Sequence, residues 1–83
     1  MTKALQLVCA EIGRAEKLHP FWPWDIVHQT AIIAEEAGEC LQAGLNSAAS
    51  EDKNRTACIR EAIHTAAVAI RFLQNQDLAN YGG

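Results

Sequence analysis

"DIVHQTAIIAEEAGECLQAGL", residues 25 to 45, decides how this 83-residue chain folds. No proline interrupts it, and its apolar residues recur at helical spacing. Asp25 has the side chain of an N-cap, so a helix is predicted over about Ile26 to Leu45. With Glu36 set at zero on a helical wheel, His28, Gln29, Ile32, Glu35, Glu39, Gln42 and Asn46 fall within an arc of about 140°. Val27, Ala31, Ala34, Gly38, Leu41 and Leu45 take the other side. The polar face carries Glu35, Glu36 and Glu39 without a single lysine or arginine. Neighbouring carboxylates at i and i+3 repel, and the usual i+4 cation is missing.

Upstream lies "HPFWPWD", residues 19 to 25, where two prolines forbid a continuous helix. A first helix is expected over Thr2 to Leu18, with Leu5, Val8, Ile12 and Ala15 at helical spacing. Downstream, "NSAAS", residues 46 to 50, reads as a connection, with Ser50 as an N-cap and Glu51 and Asp52 in the next first turn. The third helix is expected from Glu51 to Gln76 and is apolar over most of its circumference between Ala57 and Leu73. Such a helix needs neighbours on several faces, which implies oligomerisation. Gly38 and Gly44, on or near the apolar side of the second helix, permit close approach of another helix. The fold class is all-α, a small bundle of three main helices at residues 1–76 followed by a tail at 77–83, completed by further copies of the chain.

Composition narrows the function. Hydrophobic residues make up 49% of the chain and charged ones 20%, a globular rather than disordered balance. A net charge of −3 and scattered basic residues argue against a nucleic-acid polymer as partner. Cys9, Cys40 and Cys58 are odd in number and lack CxxC spacing, which disfavours both a disulfide framework and a zinc site and fits a cytoplasmic location. Neither a secretory leader nor a membrane span is expected.

Glu61 gives the acidic helix its counterpart. Thr65, Val68 and Phe72 follow it at i+4, i+7 and i+11, so it borders an apolar surface and needs a partner there. Paired helices that each offer ligands at i and i+3 can hold a hard divalent cation.

These residues resemble the MazG-like family of all-α nucleoside triphosphate pyrophosphohydrolases, which carry EExxE on one helix and ExxD on the next. Glu35-Glu36-Ala37-Gly38-Glu39 matches the first element, and Glu61-Ala62-Ile63-His64 matches the second except at its last position, after 21 intervening residues. His19, Pro20, Trp22 and Pro23 look like the HPxWP segment of short phage-borne members. The resemblance implies cleavage of a nucleoside triphosphate to a monophosphate and pyrophosphate. It also implies a cofactor Mg²⁺ held by Glu36, Glu39 and Glu61 with His64 in the fourth place; the copies that the apolar third helix calls for would make a homodimer or homotetramer. Glu35 would assist, by orienting water, so that Glu35 and Glu36 are the catalytic candidates.

His64 departs from the pattern. Imidazole is a softer ligand than carboxylate and suits Mn²⁺ better than Mg²⁺. Three roles stay open for it: metal ligand, donor to a substrate phosphate, or mark of a site that has lost catalysis and serves as a nucleotide-binding or protein-interaction module. Phe21, Trp22 and Trp24 can form a wall for a nucleobase or a plug on the bundle's open end. His28 lies near Glu35 and Glu39 on the wheel and either bonds to them or faces solvent. Arg60 and Arg71 can reach substrate phosphates or pair with the acids of the second helix. The substrate-binding candidates are therefore His19, Trp22, Trp24, His28, Arg60 and Arg71.

Overall fold

The computed structural model describes residues 1–50 and 55–82 and contains three α-helices, with no strand among those residues. Helix α1 spans Lys3–Leu18, α2 spans Ile26–Ser50 and α3 spans Thr56–Gln74. Thr2 caps α1 through its side-chain oxygen, which accepts from the Leu5 N–H. Asp25 caps α2 as expected: its carboxylate accepts from the His28 N–H at 2.9 Å.

Helix α2 runs five residues past the predicted end at Leu45, so "NSAAS" is helix and not a connection. Ala48 and Ala49 are strong helix formers, and nothing from Asn46 to Ser50 is a glycine or proline. The polar residues bond along the helix instead of breaking it. Gln42 Nε2 donates to Asn46 Oδ1 at 3.0 Å, and Ser50 Oγ to the Ser47 carbonyl at 3.4 Å. Ser50 thus closes α2 and does not cap α3. The first-turn roles expected of Glu51 and Asp52 lie outside the described residues.

Helix α3 is the centre of the molecule, packing against both α1 and α2, while α1 and α2 do not touch each other. The two outer helices diverge and leave a cleft between them above α3. Two long-range ties fix this frame. Arg71, near the end of α3, is 7% exposed. Its guanidinium donates to the His19 carbonyl at 2.7 Å and lies 5.1 Å from the centre of the Trp22 ring. Gln76 donates to the side-chain oxygen of Gln29 at 2.8 Å, satisfying a buried amide at the start of α2.

The surprise is which side of α2 faces inward. Gln29, Ile33, Glu36, Cys40, Ala43 and Ser47 are buried or half-buried, whereas Val27, Ala31, Ala34, Gly38, Leu41 and Leu45 are all exposed. The stripe that meets the bundle carries Glu36, with Glu35 and Glu39 left exposed at its side, and the apolar face meets solvent. A Cβ added at Gly38 or Gly44 would have no neighbour within 4 Å, so neither glycine serves a close approach within the chain. The third helix, expected to need outside neighbours, receives most of its cover from α1 and α2. Exposed apolar residues remain on every helix, among them Leu5, Leu7 and Leu18 on α1 and Ile59 and Leu73 on α3, but on α2 they form a continuous stripe.

Candidate metal centre

At the floor of the cleft α2 contributes Glu36, and α3 contributes Glu61 and His64, one turn apart. One ligand atom from each lies within 4.8 Å of the other two. His64 Nδ1 stands 3.6 Å from Glu61 Oε2 and 4.0 Å from Glu36 Oε2. Both of those carboxylate oxygens are buried and have no hydrogen-bond partner. An orphaned buried carboxylate oxygen is costly, and two that face one another are costlier still. Such a pair is complementary to a cation.

Helix α1 supplies a residue the sequence reading did not weigh. Glu11 Oε2 lies 3.7 Å from His64 Nε2, on the opposite side of the ring from the other two acids. Glu11 is itself gripped by Arg14, with N–H donors at 2.8 and 2.5 Å. That grip is the main reason its carboxyl sits below the ordinary carboxylate range, with a smaller contribution from His64. A signal existed in the sequence. Glu11 is wedged on the α1 wheel among Val8, Ile12 and Ala15, the same edge position that drew attention to Glu61.

Burial pushes the Glu36 carboxyl above its ordinary value, repulsion from Glu39 and Glu61 adds to the rise, and His64 opposes it. Because the folded value exceeds the unfolded one, Glu36 favours folding in acid and that contribution is lost as pH rises through the raised value. Glu36→Gln should therefore raise the melting temperature of the metal-free protein at about pH 7.5, with the gain shrinking towards about pH 4.5. Thermal melts of the two proteins across that range check it.

The remaining candidates divide. Glu39 is exposed one turn beyond Glu36, close enough to repel it but outside the three-residue group. Glu35 is exposed and also outside the group. His19, Trp22, His28 and Arg71 line the cleft, which has a volume of about 460 Å³ and a floor that includes Ala67 and Val68. Arg60 does not line it and stands 3.7 Å from Glu61 on its own helix, while Arg71 bonds to the His19 backbone. Neither arginine pairs with the α2 acids, because α3 presents Arg60 away from them and the lead-in segment captures Arg71. The aromatic trio does not act as one plug. Trp22 is half-buried over Arg71 with its indole N–H lacking an acceptor, but Phe21 and Trp24 are 90% and 91% exposed. The chain bends at Trp24 before Asp25 caps α2, turning that ring away from the cleft.

No known family, curated protein or solved structure matches this chain.

The site's chemistry therefore rests on its own geometry. The cleft is polar at both ends and apolar between. One end holds Glu11, Glu36 and His64 with Glu61 behind them, and the other holds the Trp22 and Arg71 pair with His19 and His28. No helix is long and apolar enough to cross a membrane among the described residues.

Proposed function

We propose that this protein is a divalent-metal-dependent nucleoside triphosphate pyrophosphohydrolase of the MazG-like kind, acting as a homo-oligomer in the cytoplasm. The observation that carries the reading is the meeting of Glu36 and Glu61 across two helices, each with a buried oxygen that lacks a partner. The residues present fit a divalent ion. Glu36 and Glu61 would hold it through those oxygens, and His64 would complete the set through Nδ1. Two carboxylates and an imidazole suit Mn²⁺ at least as well as Mg²⁺. When bound, the ion offsets negative charge on the substrate phosphates and on the departing pyrophosphate.

The chain's own groups supply the rest. Glu11 lies 3.7 Å from the far nitrogen of the His64 ring, where its charge would favour leaving Nδ1 towards the other two acids. Ala67, Val68 and Ile32 give the cleft a dry wall, and Trp22 offers an aromatic edge for a base at the opposite end. Hydrolysis forms a bond from water oxygen to the α-phosphorus and breaks the bond from that phosphorus to the bridging oxygen. The water's proton would pass to a carboxylate, for which Glu39, exposed one turn from Glu36, and Glu35 on the same helix are the candidates.

A second reading is favoured by the setting of His64. Its two nitrogens face Glu11 on one side and Glu36 and Glu61 on the other, so a charged ring can offset the acids without any metal. The protein would then be a nucleotide-binding module that does not hydrolyse. A panel of deoxynucleoside triphosphates with Mg²⁺ or Mn²⁺ separates the two. Pyrophosphate release above background, stronger with Mn²⁺, is the expected result. Nucleotide binding with no release under either metal would establish the module.

A further inference from the structure

We infer that the exposed apolar face of α2 is a homodimer seam, and that a second copy of this chain covers it with its own α2, running antiparallel. The inference deepens the proposed oligomer by naming its surface, and it does not depend on the metal.

The spacing carries it. Val27, Ala31, Ala34, Gly38, Leu41, Leu45 and Ala48 alternate in steps of four and three along 22 residues of α2, the 3.5-residue period of a helix that packs lengthwise on another helix. Every one of these side chains is exposed, with Val27, Leu41 and Leu45 at 71%, 66% and 57%. The opposite stripe, from Gln29 to Ser47 in the same steps, is the one spent on α3. No charged residue interrupts the outer stripe. A water-facing helix would show the reverse pattern.

The area agrees. The chain exposes 6253 Å², against about 4,900 Å² for a compact monomer of its mass. The surplus of roughly 1,400 Å² belongs to the whole chain, α1 and the lead-in segment included, and is large enough to contain the ~800 Å² that each partner buries in a stable interface. Its radius of gyration is 14.5 Å, where a compact chain of this length reaches about 12 Å.

The sizes along the stripe point to a second copy and to its direction. Small residues, Ala31, Ala34 and Gly38, occupy the middle, with Val27 before them and Leu41 and Leu45 after them, ahead of the closing Ala48. A two-fold axis level with residue 36 sets Leu41 against Ala31, Ala34 against Gly38 and Leu45 against Val27. Leu41 then meets a small residue, Ala34 and Gly38 bring the backbones close beside the axis, and Leu45 packs on Val27 at each end; a self-complementary patch of this kind is what a two-fold dimer requires. Gly38, without a neighbour in its own chain, acquires a close approach in the dimer. Glu36 points away from the axis, so both clefts stay open. The two copies of Glu35 border the seam near the axis, and screening their repulsion with salt should tighten the dimer.

Light scattering coupled to gel filtration tests the inference on the full chain. Wild type should run at no less than twice 9.1 kDa. Ala34→Glu and Leu41→Glu should each weaken the dimer at least about a hundredfold, because each buries an uncompensated charge twice. Leu73→Glu, on exposed α3 surface, should leave it intact. In case the charged variants lose their fold with their partner, cysteines at Ala31 and Leu41 together, in a background with Cys9, Cys40 and Cys58 changed to serine, should give a covalent dimer on oxidation. Leu41→Cys alone should not, since its two copies lie about 15 Å apart along the axis. A wild-type monomer would overturn both the seam and the oligomer, leaving the stripe to a different protein. Charged variants that stay dimeric would overturn the seam and spare the oligomer, and crosslinking by Leu41→Cys alone would overturn the antiparallel direction.

Discussion

Glu61→Gln is expected to lower metal-dependent pyrophosphate release by at least about a hundredfold, since loss of a residue merely supporting a metal ligand already costs 10–100-fold. Glu61 is the right probe because it combines three properties. Its Oε2 atom is buried and unpartnered, it lies 3.6 Å from His64 Nδ1, and it joins α3 to the acid that α2 brings. Glutamine keeps the shape and removes the charge, so the fold should survive, and a melt that matches wild type separates lost chemistry from lost structure. Glu35→Gln, on the exposed side of α2, should lower the same rate far less.

Arg71→Ala should have the largest effect on stability. The substitution removes a charged hydrogen bond to the His19 carbonyl, worth about 1.5–3 kcal/mol, and a contact with the Trp22 ring worth about 0.5–2 kcal/mol. Together they amount to about 2–5 kcal/mol. A domain of this size moves by about 4–8 °C per kcal/mol, so the melting temperature should fall by roughly 10 °C or more. Arg71→Lys should recover only part of the loss, because an ammonium cannot lie flat on the indole while reaching the carbonyl. Differential scanning calorimetry of the three proteins checks both statements. The expected damage extends to the site. The Arg71 tie holds the HPFWPWD segment against the end of α3, and that segment forms the aromatic end of the cleft.

The three helices were legible from periodicity and punctuation, because Asp25 caps where it was expected to and the prolines at 20 and 23 mark the break; Thr2, read as the first helical residue, turns out to be the cap of α1. The end of α2 was not. Asn46, Ser47 and Ser50 have the chemistry of a connection, yet here they bond back along the helix, and two alanines carry it to Ser50. The wheel separated the apolar stripe of α2 from the polar one, but only Gln29, Ile32 and Glu36 of the polar set turn inward, beside Ile33, Cys40, Ala43 and Ser47, while His28, Glu35, Glu39, Gln42 and Asn46 are exposed. Ordinary burial would put Val27, Leu41 and Leu45 inside; instead the stripe that carries Glu36 faces α3. A single chain cannot bury both faces, and the outcome depends on contacts the sequence does not rank.

The site shows the same division. Glu36, Glu61 and His64, named through the family resemblance, do meet, whereas Glu35 and Glu39 matched the same motif and stand outside the group. A motif places residues along one helix, but only packing against α3 selects among them. Glu11 was missed because it belongs to no motif. Its place at the edge of an apolar stripe was the available clue, and its role follows from α1 crossing α3 beside His64.

The central claim is that a divalent ion is held between α2 and α3 by Glu36 and Glu61 with His64. Manganese binding to the nucleotide-free protein, followed by electron paramagnetic resonance, tests it most directly. Wild type should bind one Mn²⁺ per chain, and Glu36→Gln and Glu61→Gln should each weaken that binding at least about tenfold. No binding by wild type, or equal binding by all three proteins, would contradict it.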